Sequence, residues 1–565
     1  MNYKQEYQRW VDCPTLEPSL KTELSMLQET EQEDAFYTEL EFGTAGMRGL
    51  LGAGTNRMNI YTIRKVNVGF AKYIASLEQG KKRGVVIGYD NRHMSYRFAL
   101  ESAKVLASYG ISSYIFESLR PTPMLSFAVR FLHCAGGIMI TASHNPKEYN
   151  GYKVYDETGC QLIPEWADQV VQYVQEVDDE LQIPVLDLEA AEPYITWIGD
   201  EVDNAYYKQV MRIQMHPEMK KDNFTIVFSP QHGASNIPVR TCLQKAGYHM
   251  IPVLSQCAPD PDYTNTKSPN PEVPESYELA IKKAKEVNAD VVVICDPDGD
   301  RLGVVAKHKE EYVLLTGNQS AAIYLEYILS QLQAKGQIPS NAIMYNTIVT
   351  SDLGELIAKQ YGVAVEKTLT GFKFIGNRIR HYEKTGEKQF LFGYEESYGC
   401  VIKDFVRDKD AIQAVMLAAE VGNFYKQQGL DLVDVLHQLY EKYGAFTESQ
   451  IALTKQGVSG AKRIQEIMNS LRLHEPKTIG DYEIIAIEDY KTGYRKTKKG
   501  KEKLTLPSSN VLKFYLADGS WIAARPSGTE PKCKFYFSIK GQTIAETQSK
   551  TKQYHAAILQ LIGES

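Results

Sequence analysis

The chain has 565 residues, of which 43% are hydrophobic and 24% are charged, and its formal net charge is −7. This length exceeds what one hydrophobic core usually organises, so we expect roughly three to five domains of a globular protein. The slightly negative charge excludes the large basic field that gathers nucleic acid or an anionic membrane. Bulk charge therefore favours a small-molecule partner.

The eight cysteines are scattered and include no CxxC pair. This usage is typical of reduced thiols inside a cell and predicts neither disulfides nor a zinc site. The N-terminal sequence MNYKQEYQRW lacks a basic start followed by an apolar run, and no later segment has the ~18 uninterrupted apolar residues of a membrane span. We therefore expect a cytoplasmic protein with no membrane partner.

After an acidic arm of helical character that ends near residue 40, apolar runs alternate with longer amphipathic segments, which is the pattern of an α/β domain. In the first round the predicted strands are 85–89, 113–116 and 137–141, and the predicted helices are 96–108 and 124–132. The last of these strands leads directly into Ser143.

Two further rounds repeat this alternation. The second has predicted strands at 225–228, 249–253 and 290–295 and helices at 237–246 and 275–287. The third has predicted strands at 342–346, 364–366 and 389–392 and helices at 352–361 and 373–382. They end on DPDGDR (296–301) and GYEES (393–397), so each round places a polar motif beyond the carboxyl end of a strand, where α/β sheets usually bind ligands.

The tail differs and predicts a separate α+β domain. Its predicted strands are 482–488, 511–516, 520–524 and 534–539, followed by a helix at 545–561. The lysine run 494–503 (YRKTKKGKEK) indicates a solvated, mobile loop, with attraction of nucleic acid or phosphate as the alternative. The proline-rich stretch 259–274 cannot be helical and predicts an ordered loop.

Residues 141–153, TASHNPKEYNGYK, form a turn-rich segment after a buried strand, with Ser143 flanked by His144 and Asn145. Alone, such a serine has two interpretations. It is either a helix or turn cap or a reactive hydroxyl.

Asp296, Asp298 and Asp300 form a D-x-D-x-D array, and in an extended segment alternate side chains point the same way. Three carboxylates on one side repel unless a cation lies between them, and hard oxygen ligands suit Mg²⁺ rather than zinc. A Ca²⁺-type structural loop or an acidic turn is the alternative. An EF-hand is excluded because its downstream glutamate and flanking helices are missing.

Three more loops carry candidate binding groups. RPSGTEPK (525–532) combines an arginine, two hydroxyls and an exposed glycine backbone, which favours a phosphate nest over a plain hairpin loop. GTAGMRG (43–49) contains Arg48 but is by itself a weak glycine-rich signal. GYEES supplies Glu395 and Ser397, which suit sugar hydroxyls.

Four motifs, TASHNP, DPDGDR, GYEES and RPSGTEP, occur in one order along essentially the whole chain. In these residues the sequence resembles the α-D-phosphohexomutase superfamily of phosphoglucomutases and phosphomannomutases, with bacterial phosphoglucomutases nearest. The resemblance implies four domains around a central cleft, three of them α/β with mixed sheets and the last a mobile α+β domain. We expect them at 1–205, 206–314, 315–445 and 446–565.

By motif position the resemblance implies a role for each catalytic candidate. Ser143 corresponds to the phosphoserine, and Lys153 ranks ahead of His144 for proton transfer. The residues near the transferring phosphate are Arg48 and Arg301. The implied Mg²⁺ ligands are a phosphoserine oxygen on Ser143, Asp296, Asp298 and Asp300.

The resemblance also implies contacts to the substrate. Sugar contacts fall on Thr370, Gly371, Glu395 and Ser397. Contacts to the phosphate that is not transferred fall on Arg525, Ser527, Gly528 and Thr529. The third loop departs from the family in Tyr394 and Tyr398, but its GEES-like pattern favours glucose over mannose phosphates.

The implied reaction interconverts glucose 1-phosphate and glucose 6-phosphate through glucose 1,6-bisphosphate, which also serves as activator. A metal-dependent phosphatase and a non-catalytic sugar-phosphate sensor are the alternatives from other classes. Among mutases, a phosphopentomutase or a glucose 1,6-bisphosphate synthase stays open. We expect a monomer or dimer whose partners are hexose phosphates and not nucleic acid.

Overall fold

The computed structural model describes residues 2–43, 46–455, 457–527 and 532–564. The chain forms two compact units. The first unit comprises Met1–Gly317 and Phe372–Asp431, and the second comprises Asn318–Gly371 and Leu432–Ser565. All five predicted catalytic candidates therefore belong to the first unit.

The N-terminal arm folds as three helices, Tyr3–Val11, Pro18–Met26 and Glu29–Phe36. Trp10 and Phe36 are fully buried, with their ring centroids 5.7 Å apart in an edge-to-face contact. Such aromatic pairs bury large apolar areas, so the arm is part of the core of the first unit.

The first sheet of this unit has a mixed arrangement with parallel strands at its centre. In spatial order its described strands are Met47–Leu50, Tyr149–Asp156, Gly136–Ile140, Val85–Tyr89, Ser113–Phe116 and Ile195–Ile198. Tyr149–Asp156 runs antiparallel to both of its neighbours. The apolar run of Val85–Tyr89 is buried throughout, as expected for a strand covered on both faces.

Helices accompany this first sheet. They are Ile60–Ser76, Gly80–Arg83, Ser95–Ser108, Thr122–Phe131, Pro164–Gln175, Leu188–Ala191 and Asp200–Val210. Thr122–Phe131 has Pro123 in its first turn, where the missing backbone N–H of proline costs no helical hydrogen bond.

The second sheet of the first unit is also mixed. In spatial order its described strands are Glu311–Leu315, Leu302–His308, Val291–Cys295, Thr225–Ser229 and His249–Pro252. Leu302–His308 is antiparallel to both of its neighbours, so the chain reverses between Cys295 and Leu302. The reversal is the DPDGDR segment.

The rest of the first unit includes the antiparallel pair Gln389–Tyr394 and Cys400–Val401. Its further helices are Asn236–Ala246, Glu278–Val287, Phe372–Thr385 and Ala411–Lys426.

The second unit contains a parallel strand pair, Ala342–Thr347 and Ala364–Thr368, and an antiparallel sheet. The described strands of that sheet are, in spatial order, Ala445–Thr454, Lys532–Gly541, Trp521–Pro526, Leu512–Leu516, Tyr482–Asp489, Tyr494–Thr497 and Gly500–Lys503, with Thr478–Ile479 paired to Tyr482–Asp489. Its helices are Gly317–Ala334, Leu353–Gln360, Leu432–Tyr443, Gly457–Leu473 and Ile544–Leu561. Phe514, Phe535 and Tyr554 lie in one buried core.

The predicted α/β class with an α+β tail is confirmed, and the strands predicted at 85–89 and 113–116 have these same bounds. The prediction of a mobile loop at 494–503 is wrong. These residues form a hairpin, Tyr494–Thr497 paired with Gly500–Lys503, at the edge of the sheet. Arg495 Nη1 lies 2.5 Å from Glu488 Oε1, and the Lys501 ammonium lies 3.9 Å from the Tyr494 ring centroid. The carboxylate and the electron-rich ring face each stabilise one of the positive side chains of the hairpin.

All eight cysteines are buried and carry free thiols. Within the described part of the chain, no helix combines the length and the apolar run that crossing a bilayer requires.

Candidate active site

Ser143 lies in a strained loop that follows the strand Gly136–Ile140. Its φ of 53° is in the left-handed region, which costs a non-glycine residue about 1 kcal/mol. Its amide donates to Thr141 Oγ1 at 2.8 Å, and its Oγ donates to Asp296 Oδ2 at 2.9 Å. The backbone conformation thus aims a buried hydroxyl at the DPDGDR turn.

A buried arginine that the sequence analysis did not consider, Arg92, holds this loop. Its guanidinium donates at 2.5–3.0 Å to four backbone carbonyls, those of Ser143, Asn145, Pro146 and Tyr149. The planar fork of arginine suits such multiple bonding. In the sequence, the position of this arginine just beyond the buried strand Val85–Tyr89 could have indicated such a role.

The three aspartates converge through a tight turn and not through an extended segment, so that part of the prediction is wrong. Asp296 Oδ1 accepts from the amides of Asp300 (3.0 Å) and Arg301 (2.9 Å). Gly299 has a φ of 67°, which favours glycine, and its amide donates to Asp296 O. One oxygen from each of Asp296, Asp298 and Asp300 lies within 4.8 Å of the others.

The three carboxylates of the triad are buried close together, so their negative charges repel one another. Burial and the charges of Asp298 and Asp300 raise the pKa of Asp296 well above its usual value. Against the effect of burial, Lys153 lowers the pKa of Asp298. Among the described residues, Asp298 Oδ1 and Asp300 Oδ1 are buried without a hydrogen-bond donor. Converging, donor-less carboxylate oxygens fit a hard divalent cation such as Mg²⁺.

Two lysines face the triad. Lys153 Nζ donates to Asp298 Oδ2 at 3.0 Å, as an inward residue of the strand Tyr149–Asp156. Lys409 Nζ lies 2.9 Å from Asp300 Oδ2 and 3.3 Å from Asp408 Oδ1. These two carboxylates raise the pKa of Lys409 although burial acts in the opposite direction, so it stays charged.

Lys409 was not among the residues predicted from the sequence. Its signal was the charged run Arg407 to Asp410, which lies between the short strand Cys400–Val401 and the buried helix Ala411–Lys426. Gly399 has no space for a side chain because the stem of Lys409 passes over it.

Arg48 and Arg301 reach the site from two further elements. Arg48 lies on the strand Met47–Leu50 opposite Gly151, and its exposed guanidinium donates to Asn145 Oδ1 at 3.0 Å. Arg301 Nη1 lies 2.5 Å from Glu272 Oε1, and its Nε lies 3.9 Å from Asp300 Oδ1.

His144 is the second side chain in contact with the serine hydroxyl. Its Nδ1 lies 3.0 Å from Ser143 Oγ. Burial and the positive charges of Arg301 and Arg48 lower the pKa of His144 well below its usual value. The ring is therefore neutral near pH 7 and offers a proton acceptor.

The GYEES loop lies close to the DPDGDR turn. Glu395 is buried, and its amide donates to Gly399 O at 2.9 Å, while Ser397 is half-buried in the same turn. The carbonyl of Tyr398 accepts from the amide of Leu302 at 2.9 Å, which ties this loop to the strand after DPDGDR. The charge of Glu395 also contributes to the raised pKa of Lys409.

The remaining candidates belong to the second unit. Thr370 and Gly371 follow the strand Ala364–Thr368, and Gly371 has a φ of 120°. Arg525 lies on Trp521–Pro526 in register with Lys534, and the amide of Ser527 donates to Lys532 O at 2.7 Å. Gly528 and Thr529 lie outside the described residues. Both the phosphate nest and the plain hairpin loop fit this placement.

The structure thus brings two sets of candidates together within the first unit. The catalytic and metal-binding candidates are Ser143, His144, Lys153, Arg48, Arg301, Asp296, Asp298 and Asp300. Glu395 and Ser397, the sugar-binding candidates of the GYEES loop, lie in the same unit. A hydroxyl, a neutral imidazole, an oxygen triad and several cations together are chemically suited to transfer of a phosphoryl group.

Comparison with known proteins gives the family. Profiles of phosphoglucomutase/phosphomannomutase α/β/α domains I, II and III match residues 39–181, 204–309 and 316–443, and the C-terminal domain profile matches 483–550. This chain belongs to the phosphoglucomutase/phosphomannomutase family. The predicted family and the enzyme class, an isomerase that transfers a phosphoryl group within its substrate, are confirmed.

Three family members illustrate the likeness. A phosphoglucomutase of Staphylococcus epidermidis is 39% identical over 94% of this chain and 96% of its own length. The crystal structure of pp63/parafusin, a phosphoglucomutase from Paramecium, has a TM-score of 0.68 at 20% identity and covers 94% of this chain and 95% of its own. An Aspergillus fumigatus N-acetylphosphoglucosamine mutase, crystallised with GlcNAc-6P and magnesium, has a TM-score of 0.52 at 14% identity and covers 93% of this chain and 96% of its own. The two structures agree with the fold, and the family and the staphylococcal relative identify the activity as phosphoglucomutase.

Proposed function

We propose that this phosphoglucomutase interconverts glucose 1-phosphate and glucose 6-phosphate by carrying a phosphoryl group on Ser143. The observation that supports this most is the position of Ser143 Oγ, which is held at a φ of 53° and lies 2.9 Å from Asp296 of the aspartate triad. A serine that merely capped a turn would have no reason to face three buried carboxylates. The strained backbone is consistent with a functional position.

We propose Mg²⁺ as the cofactor, held by Asp296, Asp298, Asp300 and an oxygen of phosphorylated Ser143. The donor set contains only oxygen, and two of its carboxylate oxygens have no donor among the described residues. When bound, Mg²⁺ supplies positive charge for the phosphoryl oxygens. The magnesium present in the Aspergillus relative supports the choice of metal.

The side chains of the first unit suggest how the transfer proceeds. In the forward half, a substrate hydroxyl oxygen bonds to phosphorus, the bond to Ser143 Oγ breaks, and the hydroxyl proton passes to an enzyme base. The guanidinium groups of Arg48 and Arg301 then stabilise the negative charge of the phosphoryl oxygens. The bisphosphate turns over, and its other phosphoryl group returns to Ser143, so no phosphate is lost to water.

We propose Lys153 as the first candidate for the base that takes up the hydroxyl proton, and His144 as the second. Lys153 is buried within the cluster at 3.0 Å from Asp298, where it reaches groups around the triad. His144 is neutral and touches Ser143 Oγ directly. A pH–rate profile that loses one limb in Lys153→Arg but keeps both limbs in His144→Gln supports this order, and the opposite result reverses it.

The proposal also assigns residues to the sugar and to the phosphate that is not transferred. Glu395 and Ser397, with Thr370 and Gly371, are proposed to bind sugar hydroxyls, and their acceptor oxygens suit that task. The proposed site for the phosphate that is not transferred comprises Arg525, Ser527, Gly528 and Thr529. We keep the domain boundaries 1–205, 206–314, 315–445 and 446–565, the cytoplasmic location and a monomer or dimer as parts of the proposal. Glucose 1,6-bisphosphate is the proposed activator.

Relative rates on three substrates test the proposal. We expect conversion of glucose 1-phosphate to exceed that of mannose 1-phosphate and ribose 1-phosphate, with stimulation by glucose 1,6-bisphosphate and no release of inorganic phosphate. Release of phosphate at the rate of substrate loss would indicate a phosphatase. A preference for ribose 1-phosphate would make the enzyme a phosphopentomutase.

A further inference from the structure

The proline-rich segment, residues 259–274, has no role in the function described so far, yet it lies against the active site. Its first half contacts the two residues that flank Arg92 and one residue of the Ser143 loop. Asn91 Nδ2 donates to Asp260 O at 2.9 Å, and the Asp262 carboxylate lies 3.2 Å from both His93 Nε2 and Lys147 Nζ. The segment thus borders the Ser143 loop on one side.

The second half of the segment is firmly anchored. Ser276 Oγ lies 2.7 Å from the carbonyl oxygens of both Ser268 and Asn270, which share its one hydroxyl proton. Tyr277 OH donates to Pro271 O at 2.7 Å, and it lies so close to Gly303 that no side chain fits there. The residue after Pro271 is therefore held against the strand that follows the aspartate triad.

That residue is Glu272, and its carboxylate binds Arg301. The Oε1 to Nη1 distance is 2.5 Å, and only 15% of the Arg301 side chain and 16% of the Glu272 side chain are exposed. Arg301 Nε is buried and has no acceptor among the described residues. Glu272 thus binds one end of the guanidinium and leaves the Nε side available.

Hydrogen bonds to a shared aspartate place Arg301 next to Ser143. The Arg301 amide donates to Asp296 Oδ1 at 2.9 Å, and Ser143 Oγ donates to Asp296 Oδ2 at 2.9 Å. Asp300 Oδ1 lies 3.9 Å from Arg301 Nε and competes for the same group. Without Glu272 the guanidinium would be free to swing towards Asp300.

We propose that Glu272 is a positioning residue that holds Arg301 towards the phosphoryl group on Ser143. This inference rests on the proposed function, because Arg301 must first be shown to serve phosphoryl transfer. In this role Glu272 acts through Arg301, whose guanidinium its carboxylate contacts. It restrains the guanidinium before the phosphoryl group arrives, which lowers the reorganisation needed in the transition state.

The test compares Glu272→Gln and Glu272→Asp with the wild type on glucose 1-phosphate. For E272Q we expect kcat to fall by about 10- to 100-fold while KM changes by less than about threefold, because the lost contact matters in the transition state. E272D keeps the charge and should recover most of the loss. The matched control is Glu275→Gln, an exposed glutamate three residues away, which should behave as wild type.

A double-mutant cycle distinguishes positioning from a structural role. In an Arg301→Gln background, E272Q should lower kcat no further, because the group that Glu272 holds is gone. Equal losses in both backgrounds, or an E272Q kcat within about twofold of wild type, would overturn the inference. If E272Q does not give a cooperative thermal melt, Glu272→Met, which removes the charge but keeps a side chain of similar length, takes its place in the cycle. Absence of mutase activity in the wild type would instead refute the proposed function.

Discussion

At the scale of single residues, the site depends on side chains that hold others in place. Arg92 donates hydrogen bonds to four backbone carbonyls of the loop that carries Ser143. The ring of Tyr263 lies 5.4 Å from its guanidinium carbon and covers its outer face. The left-handed backbone of Ser143 is therefore stabilised from outside the loop.

Arg92→Lys tests this account. A lysine has a compact ammonium in place of a planar fork, so it cannot bond four carbonyls at once. We expect kcat to fall by about 100-fold, as for other small displacements of a reactive group, and the phosphate content of Ser143 to fall with it. Steady-state kinetics and peptide mass spectrometry measure both.

Arg97→Lys is the control, since Arg97 lies on the next helix with its side chain 48% exposed and paired to Glu17. It should keep wild-type kinetics. Normal kcat and normal Ser143 phosphorylation in Arg92→Lys would show that the Ser143 loop keeps its conformation without the four hydrogen bonds of Arg92.

At the scale of elements, the second unit contains a buried lysine, Lys513, on the strand Leu512–Leu516. Lys513 Nζ donates to Ile348 O at 2.7 Å and lies 3.8 Å from the Trp521 ring centroid. Burial, and then the charge of Lys367, lower the pKa of Lys513 to about 7. The usual value of a lysine pKa is 10.5.

This pKa predicts a pH dependence of stability. Between about pH 7 and pH 10 the unfolded chain holds a proton that the folded chain has lost, so raising the pH favours the folded state. Lys513→Met removes this group. The urea midpoint of the wild type minus that of the variant should therefore increase as pH rises from about 7 to 9.5. A constant difference between the two midpoints would contradict the assignment.

Elements with a clear hydrophobic pattern were predictable from the sequence. Runs such as Val85 to Tyr89 are apolar throughout and bounded by turn residues, and they appear where the pattern places them. The hairpin at 494–503 was not predictable in this way, because its side chains are mostly exposed and charged and give no apolar alternation. Its register comes from cross-strand contacts such as Arg495 to Glu488.

The site was predictable to a similar degree. Sequence motifs selected Ser143 and the three aspartates as candidates, and the structure brings these four side chains together. Arg92, Lys409 and Glu272 were not identified. Their roles depend on distant parts of the chain that meet only in the folded unit, and a single charged residue in a loop has no local signature.

At the scale of the whole molecule, the proposed function also requires the second unit. Arg525 lies at the end of the strand Trp521–Pro526, next to the loop proposed to bind the phosphate that is not transferred. Arg525→Ala should raise KM about 10-fold or more, lower kcat and increase the need for added glucose 1,6-bisphosphate, because a charge-assisted contact to phosphate is lost. Steady-state kinetics with and without activator measure these effects.

Lys501→Ala removes an exposed cation of the same unit and should change none of these quantities. If Arg525→Ala keeps the wild-type KM and activator requirement, the RPSGTEPK loop is only a hairpin loop.

The central claim is that Ser143 carries the phosphoryl group. The most direct measurement treats the enzyme with glucose 1,6-bisphosphate, isolates it, and follows the Ser143 peptide by mass spectrometry before and after addition of glucose 1-phosphate. We predict that Ser143 becomes phosphorylated, that the phosphoryl group passes to the sugar within one turnover, and that Ser143→Ala shows neither phosphorylation nor mutase activity. Phosphate found only on another residue, or normal mutase activity in Ser143→Ala, would contradict the claim.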